Sequence, residues 1–174
     1  GKVPAKYAEK YEEEMKKQGV ETRLYKHPHA LTGHALAFIT PDAQRTFSVH
    51  LGAAIHLAPE HVLEEDIINS KILHLEGYQL EGKTQETVMF AMEIARKNGT
   101  LISLDLADPG VIRRNKKLML RIVQDYVNIL FLNEQEAEEF TGLKEEAALQ
   151  ELSKYVTTAV VKIGKRGSLI SHEN

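Results

Sequence analysis

The sequence predicts an α/β protein built on a parallel β-sheet, with a small β-hairpin set apart from it. Three observations lead there. The run Val127-Asn128-Ile129-Leu130-Phe131-Leu132 is too continuously apolar for an amphipathic helix but suits a strand covered on both faces. Strand-like runs recur about every 30 residues, the length of a βαβ unit: Lys71–Leu75, Thr100–Leu104, Asn128–Leu132 and Thr158–Ile163. Helical segments lie between them, carrying Val88, Met92 and Ala95, then Leu118, Ile122 and Val123, then Ala148, Leu149 and Leu152 on one side each.

Composition sets the class. At 174 residues and 43% hydrophobic content the chain can bury a real core, and one folded unit is the simplest expectation. With 22 Lys and Arg against 25 Asp and Glu, and no basic stripe interleaved with aromatics, nucleic acid is not an expected partner. Cysteine is absent, so disulfide and thiolate chemistry are excluded, which fits a reducing compartment. No apolar run approaches the roughly 20 residues of a membrane span, and no signal peptide precedes the first helix. A soluble, cytoplasmic protein without membrane contact is the expectation.

In chain order, Pro4 can occupy the first turn of a helix, and Tyr7, Tyr11 and Met15 give it one apolar stripe before Gly19 ends it. Val20–Tyr25 is a short strand candidate. His27-Pro28-His29 breaks it, and a metal reading of the two histidines lacks the third ligand such a site needs. Ala35–Thr40 and Thr46–Leu51 read as the arms of a β-hairpin joined through Pro41-Asp42-Ala43-Gln44-Arg45, with Arg45 either solvated or paired with an anion. Ala58-Pro59-Glu60 then starts a short helix carrying Val62, Leu63, Ile67 and Ile68.

Polar residues end the repeated strands. Right-handed crossovers place Glu76-Gly77, Asp105, Asn133 and Gly164 along one edge of the sheet, where open α/β sheets bind ligands. Asn133 is also a good helix N-cap, and Glu134 and Glu136 favour the positive end of the dipole of a helix that Gly142 terminates, so capping is the competing reading. At Lys162-Ile163-Gly164-Lys165-Arg166-Gly167-Ser168 two glycines with flanking cations suit a phosphate, although Gly-x-x-Gly is equally an ordinary hairpin turn. A Walker A loop and a dinucleotide fingerprint are both excluded, because each needs a longer glycine pattern leading into a helix.

These residues resemble the ribokinase-like, or PfkB, kinases, and among them the bacterial adenosine-kinase-like branch. The matching stretches are Thr32-Gly33, Thr40-Pro41-Asp42-Ala43-Gln44-Arg45-Thr46, Leu51-Gly52-Ala53, Leu75-Glu76-Gly77-Tyr78, Asp108-Pro109, Ile129-Leu130-Phe131, Asn133-Glu134-x-Glu136-Ala137 and Lys162-x-Gly164-x-x-Gly167. The resemblance implies a three-layer αβα, Rossmann-like fold over residues 1–174 as a single partial domain, with residues 35–51 as a lid hairpin. It implies transfer of the γ-phosphoryl group of Mg-ATP to a hydroxymethyl group of adenosine or a related nucleoside. A sugar or sugar acid is the alternative acceptor, and a non-catalytic nucleotide-binding module the alternative of another kind.

Under that resemblance Asn133 contacts phosphate, Glu136 holds magnesium through water, and Lys162, Gly164, Arg166 and Gly167 lie along the cofactor. Asp105 belongs to the rim near the transferring group, while Phe38, Arg45 and Phe47 belong to the substrate lid, through which two copies could pair. The family's opening Gly-Gly substrate motif and its Asp-Thr-x-Gly-Ala-Gly-Asp segment, which supplies the catalytic base and anion hole, are not found; Val3 and Lys6 stand where a Gly-x-Asp-x-x-Gly segment has its Asp and second Gly. The expectation is therefore the middle of a longer kinase, incomplete at both ends and inactive by itself.

Overall fold

The computed structural model describes residues 6–43 and 45–173, so the expectations that fall on Val3, Pro4 and Gln44 lie outside the described residues. The chain divides into two compact units, Gly1–His61 and Val62–Asn174, each with its own sheet.

In the first unit α1 (Lys6–Lys17) carries Glu9 in its first turn and Lys16 and Lys17 in its last, each charge matching the adjacent end of the helix dipole. On its expected apolar stripe Tyr11 is 53% exposed and Met15 is partly buried. The strand expected over Val20–Tyr25 does not form. An extended segment becomes a strand only through a ladder partner, and the sheet of this unit consists of β1 (His34–Ile39) and β2 (Arg45–His50) alone. Those two pair antiparallel, from His34 opposite His50 to Ile39 opposite Arg45, and both faces of the hairpin are exposed. Its base is pinned by the Ala53 N–H donating to the Leu31 carbonyl at 2.7 Å. Gly52 permits this approach, since a Cβ there would stand 2.2 Å from that same oxygen.

The helix expected from Ala58 is broken. Pro59–His61 forms a 3₁₀ turn, and α2 begins at Glu64 and runs to Ile68, after Leu63 in extended geometry. Glu64, Glu65 and Asp66 crowd the first turn of α2, so the dipole favours restarting the helix there.

The second unit holds β3 (Ile72–Glu76), β4 (Leu101–Asp105), β5 (Ile129–Asn133), β6 (Thr158–Lys162) and β7 (Ser168–His172) in that spatial order. The first four are parallel, as the repeat predicts, and β7 adds an antiparallel edge. Asn128, the one polar residue in the apolar run from Val127 to Leu132, accepts from the Ile102 N–H at 2.8 Å and so ties the start of β5 to β4.

The connecting helices are α3 (Thr84–Asn98), α4 (Pro109–Tyr126), α5 (Glu134–Thr141) and α6 (Glu145–Leu152). Sequential strand order with right-handed crossovers puts all four on one face of the sheet. There Leu75, Ile102, Leu104, Leu130, Leu132, Ala159 and Val161 meet Met92, Met119, Ile122, Ala137 and Leu152 in the core. Each of these side chains removed from water contributes on the order of 1–3 kcal/mol. The alternate residues point the other way, and Ile72, Leu101 and Ile170 on that face stay exposed. This unit thus supplies the sheet and one helical layer of the expected α/β arrangement. Among the described residues no helix is long and apolar enough to cross a membrane.

Candidate functional site at the strand carboxyl ends

Asn133 is both the last residue of β5 and the N-cap of α5. Its Oδ1 accepts from the Glu136 N–H at 2.9 Å. In return the Glu136 carboxylate accepts from the Asn133 backbone N–H at 2.7 Å and from its Nδ2 at 2.5 Å. This is a reciprocal capping box, so the capping reading of these residues describes what they do in the fold. It also fixes the carboxylate in place: Glu136 is 2% exposed. Burial pushes its carboxyl above the ordinary range; the Asn133 N–H opposes that, Asp105 adds to it, Lys162 opposes it and Asp108 adds to it.

One strand away, Lys162 stands opposite Asn133 in the β5–β6 register. Its stem crosses the end of β5, and Nζ donates to Asp105 Oδ2 on β4 at 2.7 Å. The other oxygen, Asp105 Oδ1, accepts from the Ala107 N–H at 3.0 Å. Three sequence-predicted residues from three different strands are therefore joined at one edge.

The Gly-x-x-Gly segment is the turn between β6 and β7. Gly164–Arg166 makes one 3₁₀ turn, and Gly167 at φ 98°, ψ −130° closes it in a region reserved for glycine. The N–H groups of Arg166 and Gly167 donate to the carbonyls of Ile163 and Gly164 within the turn, so the hairpin reading holds, and these two donors are not aimed at an anion. Arg166 reaches back to the start of α5 and α6, donating to Glu134 at 2.7 Å and to both oxygens of Glu145 at 2.7 and 3.1 Å. Those two carboxylates push its guanidinium further up. The turn and the Asn133–Glu136 box thus occupy the same rim.

Sequence reasoning gave no role to Asp108, yet it caps α4 by accepting from Gly110 and Val111 at 2.8 and 3.1 Å, and its charge acts on Glu136. Asp108 followed by Pro109 is a legible helix start, an N-cap with proline at the first helical position. Tyr78 was also missed as a rim residue; burial raises its phenol, and Asp108 and Glu136 raise it further. Gly77 beside it presses against the next loop, for a Cβ there would lie 2.4 Å from the Leu106 carbonyl oxygen. Nothing in the pattern of residues 77–81 signals that contact.

Asp105, Lys162 and Asp108 all act electrostatically on Glu136, Lys162 pairs with Asp105, and Asp108 also acts on Arg113 and Arg114. Among the described residues no three carboxylates or imidazoles converge closely enough to ligate a metal directly. A cation held here would have to keep most of its waters, as magnesium does.

The expected lid residues belong to the first unit. Arg45 and Phe47 share one face of the hairpin, opposite Ile39 and Ala37, whereas Phe38, opposite Thr46, points from the other face. The three do not form one surface.

A parallel sheet whose polar residues gather at the strand carboxyl ends, with a charged capping box beside a glycine turn, defines an α/β protein of the ligand-binding kind. The chain belongs to the pfkB family of carbohydrate kinases, whose model matches residues 1–174. It is 32% identical over 114 residues to the guanosine-inosine kinase of Escherichia coli (strain K12), covering 63% of this chain and 26% of that protein. It is 28% identical over 172 residues to the ribokinase of Staphylococcus aureus (strain COL), covering 93% and 53%. Among solved structures, the adenosine kinase from Sinorhizobium meliloti superposes with a TM-score of 0.88 at 25% identity, covering 95% of this chain and 52% of that one. A probable sugar kinase from Rhizobium etli CFN 42 gives 0.87 at 25% identity, with the same coverage. The chain therefore spans about half the length of the ribokinase and of these two structures, and about a quarter of the guanosine-inosine kinase.

Proposed function

We propose that this chain forms part of an ATP-dependent phosphotransferase that passes the γ-phosphoryl group to a hydroxymethyl group of adenosine or a related nucleoside. The observation that carries this reading is the meeting, at one sheet rim, of the Lys162–Asp105 pair with the buried Asn133–Glu136 box in a chain of this family. Phosphoryl transfer is mostly positioning and neutralisation of charge, and a rim with fixed donors and carboxylates suits both.

In this reading Asn133 contacts phosphate directly or through water, and Lys162 offers its ammonium to the same oxygens by exchanging part of its contact with Asp105. Gly164 and Gly167 let the cofactor approach the backbone closely, and Arg166 adds charge once it loosens from Glu134 and Glu145. Glu136 would hold magnesium through water, and the ion when bound would neutralise charge on the triphosphate. Asp105 lies near the transferring group, and no residue of this chain is assigned as the base, so the chain by itself is inactive. The hairpin with Phe38, Arg45 and Phe47 serves as the acceptor lid, and its exposed apolar faces support pairing of two copies through it. The setting is cytoplasmic.

The nucleoside choice is supported by the guanosine-inosine and adenosine kinase relatives. The ribokinase relative, which matches nearly the whole chain, supports a sugar as the alternative acceptor. A nucleotide-binding module without turnover is the alternative of another class. An ATP-consumption assay of the full-length gene product across nucleosides and sugars separates these. Adenosine-dependent turnover is expected, sugar-only turnover moves the assignment to the alternative acceptor, and saturable Mg-ATP binding with no turnover on any acceptor leaves the binding module.

A further inference from the structure

Six of the eight histidines, His27, His29, His34, His50, His56 and His61, gather in the two legs and first rung of the β1–β2 hairpin. His27 lies against His56 with ring centroids 4.4 Å apart, and His29 lies 6.4 Å from His27. Tyr25 stacks on His61 at 3.8 Å. Across the first rung His34 stacks on His50 at 5.1 Å.

Two of these rings also hold the backbone. Nδ1 of His27 accepts the N–H groups of His29 and Ala30 at 3.2 and 2.8 Å, and Nδ1 of His61 accepts the N–H of Ala58 at 3.0 Å. A backbone amide can only donate, so Nδ1 of each ring must carry a lone pair and both imidazoles must be neutral. Protonation turns each acceptor into a donor facing a donor. The groups facing His27 are His29, His56 and His61, with Tyr25 edge-on to it. Lys26 beside it is tied to Glu12 of α1 at 3.1 Å, and Glu60 precedes His61. Among the described residues none of the six imidazoles forms an ion pair with a carboxylate.

We infer that the histidine seam is an acid-sensitive clasp: with the rings neutral it holds the two legs of the hairpin together, and protonation of His27 and His61 releases them. The sign follows from linkage. Burial and the neighbouring imidazoles lower His27 in the folded chain. The unfolded chain then takes up the proton first, and stability falls as the pH drops below about 6.5, the ordinary imidazole value. Nothing in this clasp requires a nucleotide.

Histidine-selective ¹⁵N NMR at about pH 7.5, with amide hydrogen exchange down to about pH 5, tests it across the range where imidazoles titrate. Expected are unprotonated Nδ1 atoms on His27 and His61. Expected also, after correction for intrinsic rates, is a loss of protection of amides 34–39 and 45–50 as the pH falls. In the double variant His27→Asn, His61→Asn, a side-chain oxygen can replace Nδ1 as acceptor without titrating, and protection should persist at the lower pH. An Nδ1-protonated tautomer in either ring, undiminished protection in the parent chain, or equal loss in the variant overturns the proposal. Should the variant not fold, the tautomers and the parent chain's protection decide alone.

Discussion

Asn133 and Glu136 show how one pair of side chains can serve fold and site together. Asn133→Ala removes an N-cap acceptor and one of the two donors to a buried carboxylate, and is expected to cost about 1–2 kcal/mol in denaturant melts. Glu136 has its carboxyl raised in the folded state. Its neutral form is therefore the better tolerated one, and its contribution to stability is present at low pH and lost as the pH rises through the raised value. Lys162 opposes that rise. Replacing it by methionine in Lys162→Met should move the Glu136 titration further upward, which carboxyl ¹³C NMR would record, and should weaken Mg-ATP binding in calorimetry. An unchanged Glu136 titration in that variant would show that Lys162 does not act on the rim.

At the scale of elements, the loops after β3 and β4 are set against each other. Gly77→Ala would force a methyl into the Leu106 carbonyl. A loss of about 2–3 kcal/mol is expected, as for overpacked sites, and would be read from the denaturation midpoint. A second contact joins the same parts. Glu81 accepts from Arg114 at 2.9 and 3.0 Å and from Asn115 at 2.7 Å. Asn115 interrupts α4 at φ −120°, ψ 15°, and its amide also donates to the Val111 carbonyl at 3.0 Å. That side chain thus satisfies the broken turn, and the break sets the direction of the first turns of α4, where Asp108 sits. Glu81→Ala should cost less than about 1 kcal/mol because the pair is largely solvated. Its expected signature is instead a change in the amide shifts of residues 108–115. Were those shifts to stay fixed, the bend would owe nothing to Glu81.

On the scale of the whole molecule, the second unit leaves apolar residues exposed on one sheet face. Leu101 is 45% exposed and Ile170 61% exposed there, in a sheet whose parallel strands are of the kind normally covered on both sides. Apolar faces of this sort drive association. The 174-residue chain is expected to self-associate in sedimentation velocity, and the double variant Leu101→Lys, Ile170→Lys to shift it toward monomer. A parent chain that sediments as a monomer over the accessible concentrations would show that the face is protected.

Much of this was legible in the residues because it is local or periodic. The parallel repeat, the end of α5 at Gly142, the presence of the hairpin and the cap at Asn133 each follow from spacing or from one residue's backbone preference. The expected strand at Val20–Tyr25 failed for the opposite reason, since a ladder must come from elsewhere in the chain. Only the tertiary structure decided that Lys162 would span β5 to reach Asp105, that Glu81 would hold the bend of α4, and that Gly77 would touch Leu106. Those contacts join residues about 30 to 60 positions apart, and no pattern along a chain encodes the distance between side chains that only folding brings together.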